Sequence, residues 1–414
     1  MDISRRNFMI GGLGLAGYYL SQPELWSLAA QAANFAPRKA GESKVLVIVQ
    51  LTGGNDGLNT VVPYNSGSYY QVRPSLAIKP TEVIPINDQL GLHPNMKALA
   101  ELYKNKKLAI VQGVGYPNPS RSHFKSIEIW QTAEPAKLVE TGWLGRYLDL
   151  SMPAGGSASD NPLPAVNVDP MLPMSLMARK VIVPSVANVA DFRFKTDPRY
   201  VDDSKAQLAA FKDIYRDFDL KKPNVDLLRS VGLDAADASE HLLKIARSYK
   251  SNATYPDGDF GRRLKFISQM IVGGVNARVY NISLDGFDTH TLQSRRQPAL
   301  LKQLSEGLAA FQADLEAHSV DRDVLVLAFT EFGRRVAENS GRGTDHGAAQ
   351  PLFIMGSSVK SGIHGEHPSL AQLEDGDLKY KIDFRSIYAT VLDGWMKADS
   401  RQILGSNFDQ LNLV

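Results

Sequence analysis

The stretch "SKVLVIVQLTGG", residues 43–54, constrains the fold more than any other. It is a continuous apolar run rich in β-branched residues. Such a run reads as a strand buried on both faces, as in a parallel sheet. "NMKALAELYKNKK" follows, with Met96, Leu99, Leu102 and Tyr103 on one helical face, and then "LAIVQGVGY" as a second buried strand. Together they make a βαβ unit. The alternation returns near the C-terminus: "ARVYNISLDG" as strand, "PALLKQLSEGLAAFQADLEAH" as amphipathic helix, "DVLVLAFTEFG" and "PLFIMG" as strands, "DFRSIYATVLDGWMK" as helix. The pattern predicts an α/β fold with a doubly wound, mostly parallel sheet. Residues 44–150 and about 275–400 are expected to share that sheet. Between them, from about 153 to 274, helical patterns dominate, and a largely helical insertion is expected within one domain spanning 34–414.

Ahead of the first strand lies a different kind of segment. Arg5 and Arg6 precede an apolar stretch from Phe8 to Leu20, and Ala30 and Ala32 form an A-x-A arrangement. That order is a signal peptide, expected at residues 1–33. The paired arginines followed by Asn7 and Phe8 match a twin-arginine (Tat) signal. The expected location is periplasmic or extracellular, with the Tat translocase as a partner during export. The apolar stretch is too short for a comfortable bilayer span, so no stable span is expected after cleavage. Zero cysteines in 414 residues exclude a disulfide framework, a thiolate nucleophile and Cys-ligated zinc. A formal net charge of +2, with no basic run interleaved with aromatics, argues against nucleic acid as a partner.

Ligands of open α/β sheets bind beyond the carboxyl ends of the strands. Past the first strand come Asp56, Asn59 and Thr60; past the second, Ser120, Arg121, Ser122 and His123. Past "ARVYNISL" come Asp285, Asp288 and His290, and past "DVLVLAF" come Glu331, Arg334 and Arg335. "GRGTDHGAAQ", before "PLFIMG", sets Asp345 beside His346 among glycines that permit unusual backbone shapes. Singly, each has a plain reading. Asp56 or Asp288 can cap a turn. Ser120 and Ser122 can be helix N-caps. Jointly, Asp56, Asp288, His290, Asp345 and His346 supply the oxygen and nitrogen ligands of a divalent metal site. Zinc is the first expectation, with magnesium, manganese or calcium as alternatives. Arg334 and Arg335 are the rival partners, which would make the same cluster a salt-bridge network.

"QLTGGNDGLNTVVPY", "GVGYPNPSRSHF", "TGWLGRYL", "GFDTH", "TEFGRRVAENSGRGTDHG" and "DFRSIYATVLDGW" together resemble a Tat-exported bacterial family of unknown function placed in the alkaline phosphatase and sulfatase superfamily. The resemblance covers nearly the whole chain. It implies an alkaline phosphatase-like α/β domain and a metal-dependent hydrolase of phosphate or sulfate esters. Asp345 and His346 would be its Asp-His ligand pair. Ser122, at a helix start whose N–H groups can hold a phosphate, would be the nucleophile, with Ser120 and Thr60 as runners-up. Arg121 would hold the ester oxygens, and two cations would sit roughly 4 Å apart. His364 or His367 would supply a last ligand. The chain departs from the superfamily's Asp-x-x-x-His spacing, having Asp288-Thr-His290 instead. That departure motivates the alternative of a catalytically degenerate periplasmic or cell-surface binding and assembly protein.

Overall fold

The computed structural model describes residues 44–151, 163–181, 183–186, 201–217, 245 and 249–414. The expected signal peptide at 1–33 and much of the expected insertion lie outside the described residues. Eight strands form the central sheet: β1 (Val45–Thr52), β2 (Leu108–Gly115), β3 (Ala165–Asn167), β4 (Val279–Asp285), β5 (Val324–Thr330), β6 (Gln350–Met355), β7 (Gly362–His364) and β8 (Ile382–Asp383). Their order is β7-β2-β6-β5-β1-β4-β3, with β8 pairing the far end of β2. β1 runs parallel to both neighbours, Leu46 opposite Val279 and Val45 opposite Val324. β6 alone is antiparallel, to β2 on one side and β5 on the other. The fold is mixed α/β with a mainly parallel central sheet, and strands from both ends of the chain share it.

Alternation along the strands explains why this sheet is covered twice. Val45, Val47, Val49 and Leu51 of β1 point into one core, and Leu46 and Ile48 into another. The first core is closed by helices α1 (Lys97–Lys104), α4 (Asp259–Val272) and α5 (Gln293–Ala317), through Leu99, Leu264, Ile267, Leu304, Leu308 and Phe311. The second is closed by α2 (His123–Thr132), α3 (Trp143–Ser151) and α6 (Phe384–Thr390), through Trp130, Trp143, Tyr147, Ile387 and Tyr388. Strands apolar on both faces need helices on both faces, so the result is a three-layer sandwich.

The segment expected as a helical insertion is less separate than its composition implies. Ala165–Asn167 is the edge strand β3 of the central sheet, parallel to β4. Helix α4 packs its buried face into the first core. Val201–Asp217 is helical, as the pattern predicts.

Topology then fixes where chemistry can sit. The carboxyl ends of β1, β2, β4 and β5 open onto one rim. Because β6 runs the other way, its amino end reaches the same rim, so the loop before it contributes rather than the loop after it.

Candidate metal centre

Backbone hydrogen bonds tie the loops after β1, β4 and β5 to one another, with Phe287 N–H donating to Thr52 O at 3.1 Å. The 341–349 loop runs antiparallel to residues 333–335: Arg335 N–H donates to Asp345 O at 2.9 Å, and Gly347 N–H to Gly333 O at 2.8 Å. Thr344 N–H donates to Thr289 O at 3.2 Å. The glycines that frame Asp345-His346 are there for close approach. A Cβ on Gly343 would stand 2.3 Å from the carbonyl carbon and oxygen of His290, and one on Gly347 2.5 Å from the carbonyl carbon of Arg334. Neither distance is tolerable, so only glycine lets this loop lie against the other two.

Arg334 staples the rim together. Its buried guanidinium donates to Gly54 O at 2.6 Å, Thr344 O at 2.6 Å, Phe287 O at 3.1 Å and also to Gly53 O. It also donates to Asp288 Oδ1 at 2.7 Å. One cation thus satisfies carbonyls from the loops after β1, β4 and β5. The sequence-level rival is therefore present: Arg334 is a partner of Asp288. Arg335 instead donates to Asp375 O.

Around that same Asp288 oxygen three histidines gather. His290 Nε2 and His346 Nε2 each lie 3.2 Å from Oδ1, and His123 Nε2 lies 3.5 Å away. His290 Nε2 and His346 Nε2 are 2.9 Å apart. Ligand atoms of His123, Asp288 and His346 all fall within 4.8 Å of one another. The far nitrogen of each ring is occupied: His123 Nδ1 by Glu331 Oε1 at 2.8 Å, His290 Nδ1 by Asp345 Oδ1 at 2.9 Å, His346 Nδ1 by Arg121 O at 2.7 Å. Burial opposes ionisation of Asp288, but hydrogen bonds from Arg334 and His346 and nearby positive charge outweigh it, and its carboxyl is held down at about 2. Asp345 is lowered by hydrogen bonds from Asn339 and His290. Burial lowers His346, whereas the hydrogen bond to Glu331 raises His123.

Of the residues expected as ligands, Asp288, His290 and His346 come together. Asp345 stands behind His290. Asp56 does not join them. It is buried, its oxygens are taken by Arg73 at 2.5 and 3.0 Å and by Gln293, and it caps a short 3-10 turn by accepting from Leu58 N–H. A carboxylate so deep takes the nearest fixed cation, and here that is a guanidinium. Arg121 is likewise diverted: its Nε and Nη2 both reach Asp377 Oδ2, and only its backbone carbonyl touches the cluster. Ser122 is exposed at the N-cap of α2, where its side chain caps no backbone N–H. Of the runners-up, Ser120 Oγ accepts from Ser122 N–H, and Thr60 is buried in a network with Asn55. His364 sits on β7 against Lys360 O, and neither it nor His367 belongs to the histidine cluster. The third ring of that cluster is His123 instead. It was visible in the sequence as an imidazole at the first position of a helix just past a strand, next to the serine that drew attention.

The chain matches the family described as "Protein of unknown function (DUF1501)" over residues 43–406, and it belongs to that family. No curated protein sequence matches it. Among solved structures it is similar to a protein in the alkaline phosphatase superfamily from Vibrio parahaemolyticus, at 10% identity and a TM-score of 0.38, over 93% of this chain and 77% of that one. A sulfatase from Pseudoalteromonas sp. is similar at 11% identity and a TM-score of 0.37, over 94% and 75%. A phosphonate monoester hydrolase from Silicibacter pomeroyi is similar at 10% identity and 0.35, over 89% and 78%. No residue here takes a role from them.

Proposed function

We propose that this member of a family of unknown function is an exported, metal-dependent hydrolase of phosphate or sulfate esters. One observation carries the reading: three imidazole Nε2 atoms meet at a single oxygen of Asp288, at 3.2, 3.2 and 3.5 Å. Imidazole nitrogen and carboxylate oxygen are the ligand types of zinc. The guanidinium hydrogen-bonded to Asp288, Glu331 or Asp345 is Arg334 alone among the described residues, so the cluster retains negative charge that suits a divalent cation. His123, Asp288, His290 and His346 would hold it. A bound divalent ion supplies Lewis acidity toward an ester oxygen and lowers the pKa of coordinated water.

The chain's own groups do the rest. Ser122 presents a hydroxyl one residue before His123, at the start of α2. The free N–H groups of that first turn can receive the non-bridging oxygens of a phosphoryl or sulfuryl group. In the overall hydrolysis, the bond from phosphorus or sulfur to the alcohol oxygen breaks. Water supplies the new oxygen, and the alcohol leaves with a proton. Zinc-loaded protein is expected to hydrolyse an aryl phosphate or an aryl sulfate, with activity lost to chelator and restored by zinc. His346→Ala should lower kcat/KM by roughly a hundredfold or more. A zinc-bound protein that cleaves neither class overturns the ester reading.

The Arg334–Asp288 contact at 2.7 Å favours a second reading, in which the cluster is a structural ion network in a binding or assembly protein. That protein would fold and melt identically with and without chelator. For export, the support is the Arg5-Arg6 pair before a short apolar stretch. Among the described residues, no helix is long and apolar enough to cross a membrane. Changing both arginines to lysine should leave precursor in the cytoplasm, and normal processing of that variant would exclude the Tat route.

A further inference from the structure

Glu331 directly follows β5 and is fully buried. A carboxyl group at that depth is costly unless its oxygens are hydrogen-bonded. Among the described residues no lysine or arginine pairs with it. Its Oε1 accepts from Gly53 N–H at 2.9 Å and faces His123 Nδ1 at 2.8 Å, and its Oε2 lies 3.0 Å from Thr330 Oγ1, whose single hydrogen it shares with Leu51 O at 2.6 Å. Its backbone carbonyl accepts from Ser126 Oγ at 2.6 Å. Helix α2 is therefore tied to Glu331 twice, once through the histidine ring and once a turn later.

The consequence is chemical. Oε1 already accepts from Gly53 N–H, so it acts as an acceptor toward the ring as well, and the ring nitrogen facing it carries the hydrogen. The lone pair of neutral His123 is then on Nε2. That atom is buried and has no hydrogen-bond partner, while Asp288 Oδ1 lies 3.5 Å away. A buried acceptor facing another acceptor is unfavourable; either a second ring proton or a metal cation between them would satisfy both, and above the ring's pKa only the metal does.

We infer that Glu331 is a positioning residue: it holds His123 in the Nδ1–H form, so that Nε2 offers its lone pair to a cation shared with Asp288 and His346. The role rests on the metal reading above. The other rings are oriented by the same kind of contact, but from weaker posts. His346 uses a backbone carbonyl, and His290 uses Asp345, whose side chain is 54% exposed. A shielded carboxylate should matter more than a solvated one, because water cannot replace it.

Zinc titration of the purified protein tests this. Glu331→Gln keeps the side chain's size and should raise the zinc Kd about 10- to 100-fold, with a zinc-free melt close to that of the parent. Asp345→Asn should raise it by a smaller factor. A second measurement needs no variant. Nitrogen-15 shifts of zinc-free protein at pH 8 should show His123 with its hydrogen on Nδ1. Hydrogen on Nε2 overturns the inference even if Glu331→Gln does not fold, and so does a folded Glu331→Gln protein that binds zinc as tightly as the parent. Parent protein that binds no zinc counts against the metal reading instead, and the nitrogen-15 result still decides what Glu331 does.

Discussion

Asp56 shows how a single residue can look like a ligand and be something else. All five guanidinium hydrogens of Arg73 are placed: Nε donates to Val336 O at 2.8 Å, Nη1 to Asp56 and to Asn59 Oδ1 at 2.9 Å, Nη2 to Asp56 and to Arg335 O at 2.9 Å. Such a pair is not an easy gain in stability, but breaking it strands a buried charge. Asp56→Asn should therefore lower the unfolding free energy by about 3 kcal/mol or more, read in urea melts, with zinc bound per folded chain unchanged. Loss of zinc at unaltered stability would return Asp56 to the metal. The sequence showed an acid in a glycine-rich loop after a strand, and nothing in it pointed to a cation 17 positions later. Pairing across the fold depends on packing, and packing leaves no local signature in residues 56 or 73.

At the scale of elements, the loop at 341–349 was legible in its chemistry and not in its mechanics. Asp345-His346 does stand at the site, yet only His346 faces Asp288, while Asp345 turns to His290 and Asn339. The flanking glycines matter through the space they leave for the backbones of His290 and Arg334. Gly343→Ala would push methyl carbon against backbone, which cannot swing aside as a side chain can. A cost of about 1–3 kcal/mol follows, together with a weaker zinc affinity, since the loop must lift away from His290. Thermal melts and zinc titration together check this. An alanine variant with parental stability and affinity would mean that the loop contact is dispensable. Strand–helix alternation predicted the elements well because periodicity is a local property of sequence. It could not show that β6 is antiparallel, since direction follows from pairing with β2 and β5. Nor could it show that β3 and α4, from within the segment read as a helical insertion, join the sheet and its first core.

The molecule as a whole is a sheet sealed on both faces, with its polar groups pressed to one rim. That arrangement also buries titratable groups that take no part in the site. Burial pushes His93 down to about 4, with the charge of Asp56 opposing. Its Nδ1 accepts from Asn95 N–H at 3.0 Å, which fits the neutral ring. The folded pKa lies below the ordinary value of 6.5, so the unfolded chain binds the extra proton between those limits. Stability attributable to His93 is thus complete above about pH 6.5, falls as pH drops toward 4, and flattens below it. The span is on the order of 3 kcal/mol. A variant with glutamine at this position should lose that component of the pH dependence in denaturant melts. Parallel curves for the two proteins across this range would show that His93 does not carry it.

The most direct test of the central claim is anomalous diffraction at the zinc edge, from crystals of the protein grown with zinc. One strong peak is expected, bounded by His123 Nε2, His290 Nε2, His346 Nε2 and Asp288, about 2.0–2.2 Å from its ligand atoms, and none at Asp56. No peak at the histidine cluster, with Asp288 still held by Arg334, would contradict it and leave a structural ion network at the rim.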